Sequence, residues 1–514
     1  MTEIEVALQL HKIAKKYIPS HHVDCVSGYI RNIQKDRKCK SIHFAEEIIH
    51  SITVNAFYFE AFVSMVKLIL SSSNEQLQHE ILNDMLRLLK PNDDLLLLNE
   101  KLVNFCEKSG IISYYINNVK KYKGEYFRKI MLFFTYIQIA SSNDLILCKS
   151  NIHKFLMDTI QNTSSFELIF MCSFVLVEIA KREQCHGILL NDGILDSLTS
   201  HINKVSASSN FSLEMLQSSS TGALLLRLLS TYTALNEFHY RKLSIFCILL
   251  LKSMLIWNKL YFYEQDAEDS KFQVIKAMVN YDTIREIVHA LYTITNNSES
   301  TCDYIVERLL PTLPNCTLLK ELLSLMCYND EPQVRIFMIQ FCNNTLSRDN
   351  INSIDILIQN GVIDIFEKIV TQTKYKISNM EHVNILLCLG NLLCSNESHR
   401  ALVLRNSILF TYILNCLAHF NCSSVVGSAL YCVNNVLEMN DNRHSNYVLT
   451  FCNGKFINAI VCILNAIATN PRMAGYGIDS YGIQSVSNIV MESLNNIVVV
   501  IQGDCKGMII YTNI

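Results

Sequence analysis

Gln359-Asn360-Gly361-Val362-Ile363 opens the stretch that decides the fold. An apolar run at helical spacing follows to Val370, then a polar break, then Val383-Asn384-Ile385-Leu386-Leu387-Cys388-Leu389-Gly390-Asn391-Leu392. The pattern then starts again. Asn406-Ser407-Ile408-Leu409 takes the place of Asn360-Gly361-Val362-Ile363, and Ala429-Leu430-Tyr431-Cys432-Val433-Asn434-Asn435-Val436 takes the place of the first Asn-bearing helix. A polar turn, an apolar helix, a polar gap and a second apolar helix with an Asn near its end form a unit that cannot bury its own apolar face. Such a unit must stack on copies of itself, the signature of a solenoid.

Outward from this stretch the same turn recurs at Ser109-Gly110-Ile111, Ser150-Asn151-Ile152, Asp192-Gly193-Ile194 and Asn453-Gly454-Lys455. Gly and Asn tolerate the left-handed backbone that ends a helix. The intervals are 41 residues from 110 to 151, 42 from 151 to 193, 46 from 361 to 407 and 47 from 407 to 454. Gly193 and Gly361 are 168 residues apart, four times 42, so the period is expected to run on through the middle where the turn has lost its glycine. That predicts about ten units.

Before the first clear turn, apolar positions three and four apart predict helices over Glu5–Tyr17, Val23–Ile33, Ile42–Val54, Phe57–Leu70 and Glu75–Leu89, with Pro91 closing the set. The expected organisation is residues 1–95 as N-terminal capping helices, 96–502 as repeats and 503–514 as a tail, in one continuous domain. Two stretches break the period. Asn258 to Lys271 is an acidic insertion expected to form an exposed loop, and Asn470 to Tyr481 is a Gly/Tyr-rich loop before a closing helix from Gln484 to Val500.

Half of the residues are apolar and 18% charged, with only six prolines and fifteen glycines, which suits helices packed on both sides. The most apolar run, Leu243 to Trp257, is broken by Lys252 and falls short of the roughly 20 residues a membrane span needs. No membrane insertion is expected, and Met1-Thr2-Glu3-Ile4-Glu5 does not open a secretory signal. Nineteen cysteines include no CxxC pair and sit singly on apolar faces, as at Cys172, Cys342, Cys388 and Cys432, the pattern of buried free thiols in a reducing compartment. His21-His22 has no partner pattern, so no metal site and no cofactor are expected. A net charge of −3 argues against a nucleic-acid binder. No phosphate loop, nucleophile elbow, HExxH or GxGxxG is present, so no catalytic residue is expected and the chain reads as a non-enzyme.

The period, the turn and the paired apolar helices resemble the armadillo repeat, and the C-terminal repeats of importin-α in particular, over residues 100 to 502. The resemblance implies an all-α, right-handed superhelical armadillo solenoid. It also implies a concave groove in which an Asn on the last helix of each unit hydrogen-bonds the backbone of an extended peptide, since one amide offers both donor and acceptor. The matching positions are Asn236, Asn296, Asn344, Asn391, Asn435 and Asn496. Importin-α adds a Trp one turn earlier that holds Lys and Arg stems. Here Tyr232, Tyr292 and Tyr431 stand four residues before Asn236, Asn296 and Asn435, while Gln340, Leu387 and Glu492 stand before the others.

By this resemblance the chain is a protein-binding adaptor, cytoplasmic and nuclear, that takes extended segments of other proteins, including basic nuclear-localisation signals, for nuclear import. It also implies docking of an importin-β-type carrier, but nothing in Met1 to Leu70 matches the arginine-rich segment that recruits that carrier. The alternative function is an armadillo scaffold or co-chaperone for complex assembly, unrelated to transport. For the Asn set, the structural alternative is that each amide bonds a neighbouring repeat.

Overall fold

The computed structural model describes residues 59, 62–71, 75–90, 96–141, 143–208, 212–262, 270–309, 317–327, 332–372, 377–417, 422–437, 461, 477–479 and 482–484. The predicted helices Glu5–Tyr17, Val23–Ile33 and Ile42–Val54 lie outside these, as do the closing helix after Gln484 and the tail. Met1–Ser197 and Leu198–Ile514 form two compact units.

In the first unit the described helices are α1 (Glu75–Leu89), α2 (Leu96–Ser109), α3 (Ile111–Asn118), α4 (Gly124–Ala140), α5 (Ile146–Lys149), α6 (Ile152–Asn162), α7 (Phe166–Ala180) and α8 (His186–Asn191). The helix α9 (Ile194–Ala207) spans the division. Every third helix stacks on the next, α4 packing between α1 and α7. Phe127, Ile130, Phe133, Phe134 and Ile137 of α4 are buried as a result. The turns are those the sequence predicts: Gly110, Asn151 and Gly193 have φ of 80°, 57° and 96°, in the left-handed region that a Cβ disfavours. His153, at the start of α6, reaches Asp192 just before Gly193 with 2.7 Å between Nε2 and the carboxylate.

The second unit contains α10 (Leu213–Ser230), α11 (Glu237–Phe262), α12 (Ser270–Asn297), α13 (Glu299–Asp303), α14 (Thr317–Ser324), α15 (Pro332–Leu346), α16 (Ile351–Gln359), α17 (Val362–Thr371), α18 (Asn379–Cys394), α19 (Glu397–Arg405), α20 (Ser407–Leu417) and α21 (Ser423–Leu437). α10, α12, α15, α18 and α21 stack in that order, and α14, α17 and α20 form a parallel layer. From α13 onward the modules are three-helix units ending on α15, α18 and α21, an all-α repeat solenoid. The stacked helices are sealed on both flanks: Met338, Ile339, Phe341 and Cys342 on α15, Ile385, Leu386, Cys388 and Leu389 on α18, and Val426, Ala429, Leu430, Cys432 and Val433 on α21 are all fully buried. Each large side chain so enclosed contributes about 1.5–3 kcal/mol.

Three expectations are corrected. The 168 residues between Gly193 and Gly361 hold three steps of the stack, α10 to α12 to α15 to α18, where the period predicted four. The reason is length: α11 has 26 residues and α12 has 28, so one step there uses two long helices in place of three shorter ones. α11 also runs through Asn258-Lys259-Leu260-Tyr261-Phe262, and α12 begins at Ser270, so both ends of the acidic insertion are helical and only 263–269 lie outside the described residues. In the Gly/Tyr-rich stretch Gly477–Asp479 (β1) and Gly482–Gln484 (β2) pair antiparallel, Ile478 opposite Ile483, and this hairpin lies against α21.

The repeated turn keeps its geometry at Gly361, with φ of 88°, but not at Asn406. Asn406 is extended, and its Oδ1 accepts from the backbone N–H of Ile408 and Leu409 at 3.1 Å, capping α20 in place of a left-handed turn.

His201 of α9 lies fully inside the second unit, its ring so close to Gly222 of α10 that a Cβ there would stand 2.9 Å from its Cε1. Burial, and secondarily the charge of Lys204, push its pKa from 6.5 down to about 4. Between those values the unfolded chain binds a proton that the folded chain refuses, so stability falls as pH drops. The loss at pH 5 is about 2 kcal/mol. In urea unfolding at pH 7 and pH 5, His201→Gln is expected to lose that much less than the parent on acidification. An equal loss in both would place the acid sensitivity elsewhere.

Candidate functional site

The site is built on the stacked helices of the second unit. α18 starts at a capping box: Ser378 Oγ accepts from the Glu381 N–H at 3.3 Å, and the Glu381 carboxylate accepts from the Ser378 N–H at 2.8 Å. The same carboxylate pairs with Arg335 of α15, and both residues are buried, 1% and 3% exposed. Burial raises the Glu381 pKa, but the bonds from Arg335 and Ser378 outweigh it and hold the carboxyl below its ordinary value. α15, α18 and α21 contain one arginine and one glutamate between them, and these two residues neutralise each other inside the stack.

The accessible stripe of each helix follows from spacing three and four apart. On α12 it carries His289, Tyr292 and Asn296, on α15 Phe337, Gln340, Asn343 and Asn344, on α18 Leu387, Asn391 and Cys394, and on α21 Tyr431. The rings of His289 and Phe337 stack with centroids 4.1 Å apart and planes 10° apart, and Tyr292 continues the row 5.9 Å from Phe337.

Three of the six predicted Asn residues, Asn344, Asn391 and Asn435, lie on successive stacked helices, and their amides bond neighbouring repeats. Asn344 donates to Thr295 Oγ1 at 3.1 Å and to the Tyr292 carbonyl at 3.4 Å. Asn391 donates to Asn343 Oδ1 at 3.0 Å and accepts from the Tyr431 hydroxyl at 2.9 Å. Asn435, only 7% exposed, donates to the Gly390 carbonyl at 2.8 Å. Each of the three bonds the stacked helix before it, so the ladder clips repeats together. Gly390 fits the same seam, because a Cβ there would stand 2.5 Å from the Tyr431 ring.

The remaining members separate from this set. Asn296 is exposed and bonds its neighbour Asn297 at 3.4 Å. Tyr232 and Asn236 were expected on a stacked helix, but α10 ends at Ser230 and both lie in the loop that follows. Asn236 Oδ1 accepts from the His239 N–H at 3.0 Å and caps α11, a use to which Asn is suited just before a helix. Asn496 lies outside the described residues.

His289, Phe337, Gln340 and Asn343 were not selected from sequence, although the steps of three from Phe337 to Gln340 to Asn343 mark one helix face. Gln340 carries an amide with no hydrogen-bond partner among the described residues, its Oε1 shielded from solvent. Among the described residues no three His, Cys, Asp or Glu side chains converge as a metal site would require, and no helix is long and apolar enough to cross a membrane.

No protein-family model matches this chain, and no curated protein matches it. Among solved structures it is similar to an engineered protein of the Northeast Structural Genomics Consortium, with 11% identity, TM-score 0.49 and coverage of 85% of this chain and 99% of that one. A second engineered protein of that consortium has 12% identity, TM-score 0.38 and coverage of 59% and 97%. A designed armadillo repeat protein in complex with the peptide (KR)4 has 15% identity, TM-score 0.37 and coverage of 58% and 99%. At these values none assigns a role to a residue of this chain.

Asn435→Ala is expected to cost about 1 kcal/mol of stability, read as a lower urea midpoint at unchanged slope. Asn296→Ala, with only a local partner, should stay within about 0.5 kcal/mol. Gly390→Ala should cost about 1–3 kcal/mol by overpacking against Tyr431; a neutral or stabilising result would contradict the close approach of that ring.

Proposed function

We propose that the chain is a non-enzymatic protein-binding repeat scaffold whose stacked-helix face in the second unit receives an extended segment of another protein. The observation that carries this reading is the row of half-exposed rings and amides on successive helices, His289 and Tyr292, then Phe337, Gln340 and Asn343, then Leu387 and Asn391, then Tyr431. Packed helices lie about 8–10 Å apart and an extended chain advances about 3.3 Å per residue, so each helix step meets two to three residues of a bound segment. Of the groove residues inferred from sequence, Tyr292, Asn391 and Tyr431 lie on this face, while the amides of Asn344, Asn391 and Asn435 hold the repeats in register.

Two narrower roles use the same face. One is importin-α-like carriage of basic nuclear-localisation signals, with a cytoplasmic and nuclear distribution and an importin-β-type carrier. The other is assembly of protein complexes outside transport. A displayed library of random twelve-residue peptides distinguishes them. Selection on the intact chain should enrich binders that lose at least tenfold in affinity for Phe337→Ala. Lys/Arg-rich winners would favour transport signals; winners that bind Phe337→Ala equally well would remove the face as the site.

A further inference from the structure

The partner chemistry follows from charge and hydrogen bonding on this face, and the inference rests on the scaffold reading above. We infer that the α12–α15–α18 face takes an uncharged extended segment rich in aromatic or aliphatic side chains, packed against the His289–Phe337–Tyr292 row and hydrogen-bonded through its backbone to Gln340. Three observations on the face select this occupant.

The first is that the charges of this face are paired among the described residues. Arg335 and Glu381, the only Arg, Lys, Asp or Glu on α15, α18 and α21, are buried in one pair. On α12 the nearest carboxylates are also engaged: Glu286 with Arg227 and Arg285, and Asp282 with Arg285 at 2.8 Å. A Lys- or Arg-rich segment laid here would lose hydration and meet only carboxylates already paired among the described residues, and an acidic one only paired cations, so both are selected against. Burial first, then the nearby Arg227, hold the His289 pKa below its ordinary value, so that ring adds no positive charge at neutral pH.

The second is the ring row. Three nearly parallel, half-exposed rings on adjacent helices, His289 face to face with Phe337 at 4.1 Å and Tyr292 5.9 Å from Phe337, form an apolar ridge across the helix seam. Such a ridge gains most from another aromatic or branched aliphatic side chain laid against its ring edges, through area burial and edge-to-face contact.

The third is Gln340, one helical turn from Phe337. Its Oε1 is shut away from solvent with no donor, a deficit for a buried carbonyl oxygen. Swung outward on its half-exposed side chain, the amide offers an acceptor and a donor to a peptide N–H and C=O. Asn343, one turn further on, has its Oδ1 occupied by Asn391 and its Nδ2 without a partner among the described residues. These two amides are the backbone contacts that the Asn ladder, committed to its neighbours, does not supply.

The test uses the full chain and three pools of fluorescein-labelled twelve-residue peptides: a neutral pool drawn from Phe, Tyr, Leu, Pro, Gln, Ser and Gly, a basic pool in which half of the positions are Lys or Arg, and an acidic pool in which half are Asp or Glu. Retention on immobilised protein is measured from 50 to 300 mM salt. The inference expects the neutral pool to be retained at least tenfold above the others, with little salt dependence, and this retention to fall about tenfold in both Phe337→Ala and Gln340→Ala. Circular dichroism melts verify that each variant is folded. Asn343→Asp, which keeps the acceptor for Asn391 and adds one carboxylate to the face, should raise basic-pool retention about threefold to fivefold. Preferential, salt-sensitive retention of the basic pool by the parent would overturn the partner class and leave the scaffold reading standing. Retention of no pool above that on an unrelated protein would overturn both. Neutral-pool retention unchanged in folded Phe337→Ala and Gln340→Ala would overturn the location.

Discussion

A stacked helix in this protein has two apolar flanks and no partner for either within its own module. α18 illustrates the constraint: Ile385, Leu386, Cys388 and Leu389 are fully buried, and they are enclosed by α15 on one side and α21 on the other. Removing a neighbour would return an apolar flank to water at a cost of several kcal/mol, so the modules have no stable existence apart. Everything polar in the stack is arranged around that requirement.

The seams show how. Where two stacked helices meet, their polar groups are satisfied across the interface: Arg335 with Glu381, Asn344 with Thr295 and the Tyr292 carbonyl, Asn391 with Asn343 and Tyr431, Asn435 with the Gly390 carbonyl. The cysteines share the seam, Cys388 donating to the Ile339 carbonyl at 3.6 Å and Cys432 to the Leu386 carbonyl at 3.0 Å. Burial drives the pKa of both thiols upward, which keeps them protonated and unreactive. Glu381 is the most connected of these groups, since it closes the N-terminus of its own helix and neutralises an arginine on the helix before it. A buried pair of this kind adds little over an apolar one, but it penalises any register that leaves either charge alone.

The face left over by this arrangement is chemically simple. Because Arg335, Glu381 and most ladder amides are committed inward, what the described residues leave toward solvent includes a row of rings, the amide of Gln340 and a few half-exposed aliphatic and amide groups. That surface derives from the seam chemistry, and it differs from a groove in which free amides and acidic residues await a basic peptide.

The turn glycines were legible in the sequence because a left-handed backbone excludes most side chains: Gly110, Gly193 and Gly361 identify themselves, and Asn151 joins them as the non-glycine residue that tolerates φ near 57°. The recurrence of Asn near the end of α15, α18 and α21 was legible too. Its meaning was not, because an amide at a helix surface bonds a ligand or a neighbour according to how closely the next helix approaches. Repeat length in the middle was obscured for a similar reason: α11 and α12 are continuous helices across residues whose spacing also suits shorter ones.

Sequence by itself determined that this chain is a stack of helices and where its tight turns fall, since apolar periodicity and left-handed residues are local properties. Tertiary structure alone decided that Tyr232 and Asn236 leave the stack, that the ladder amides close its seams, and that Phe337 and Gln340 stand on the open face. Those outcomes depend on which flank of a helix meets its neighbour, and that is settled by packing between segments distant in the chain.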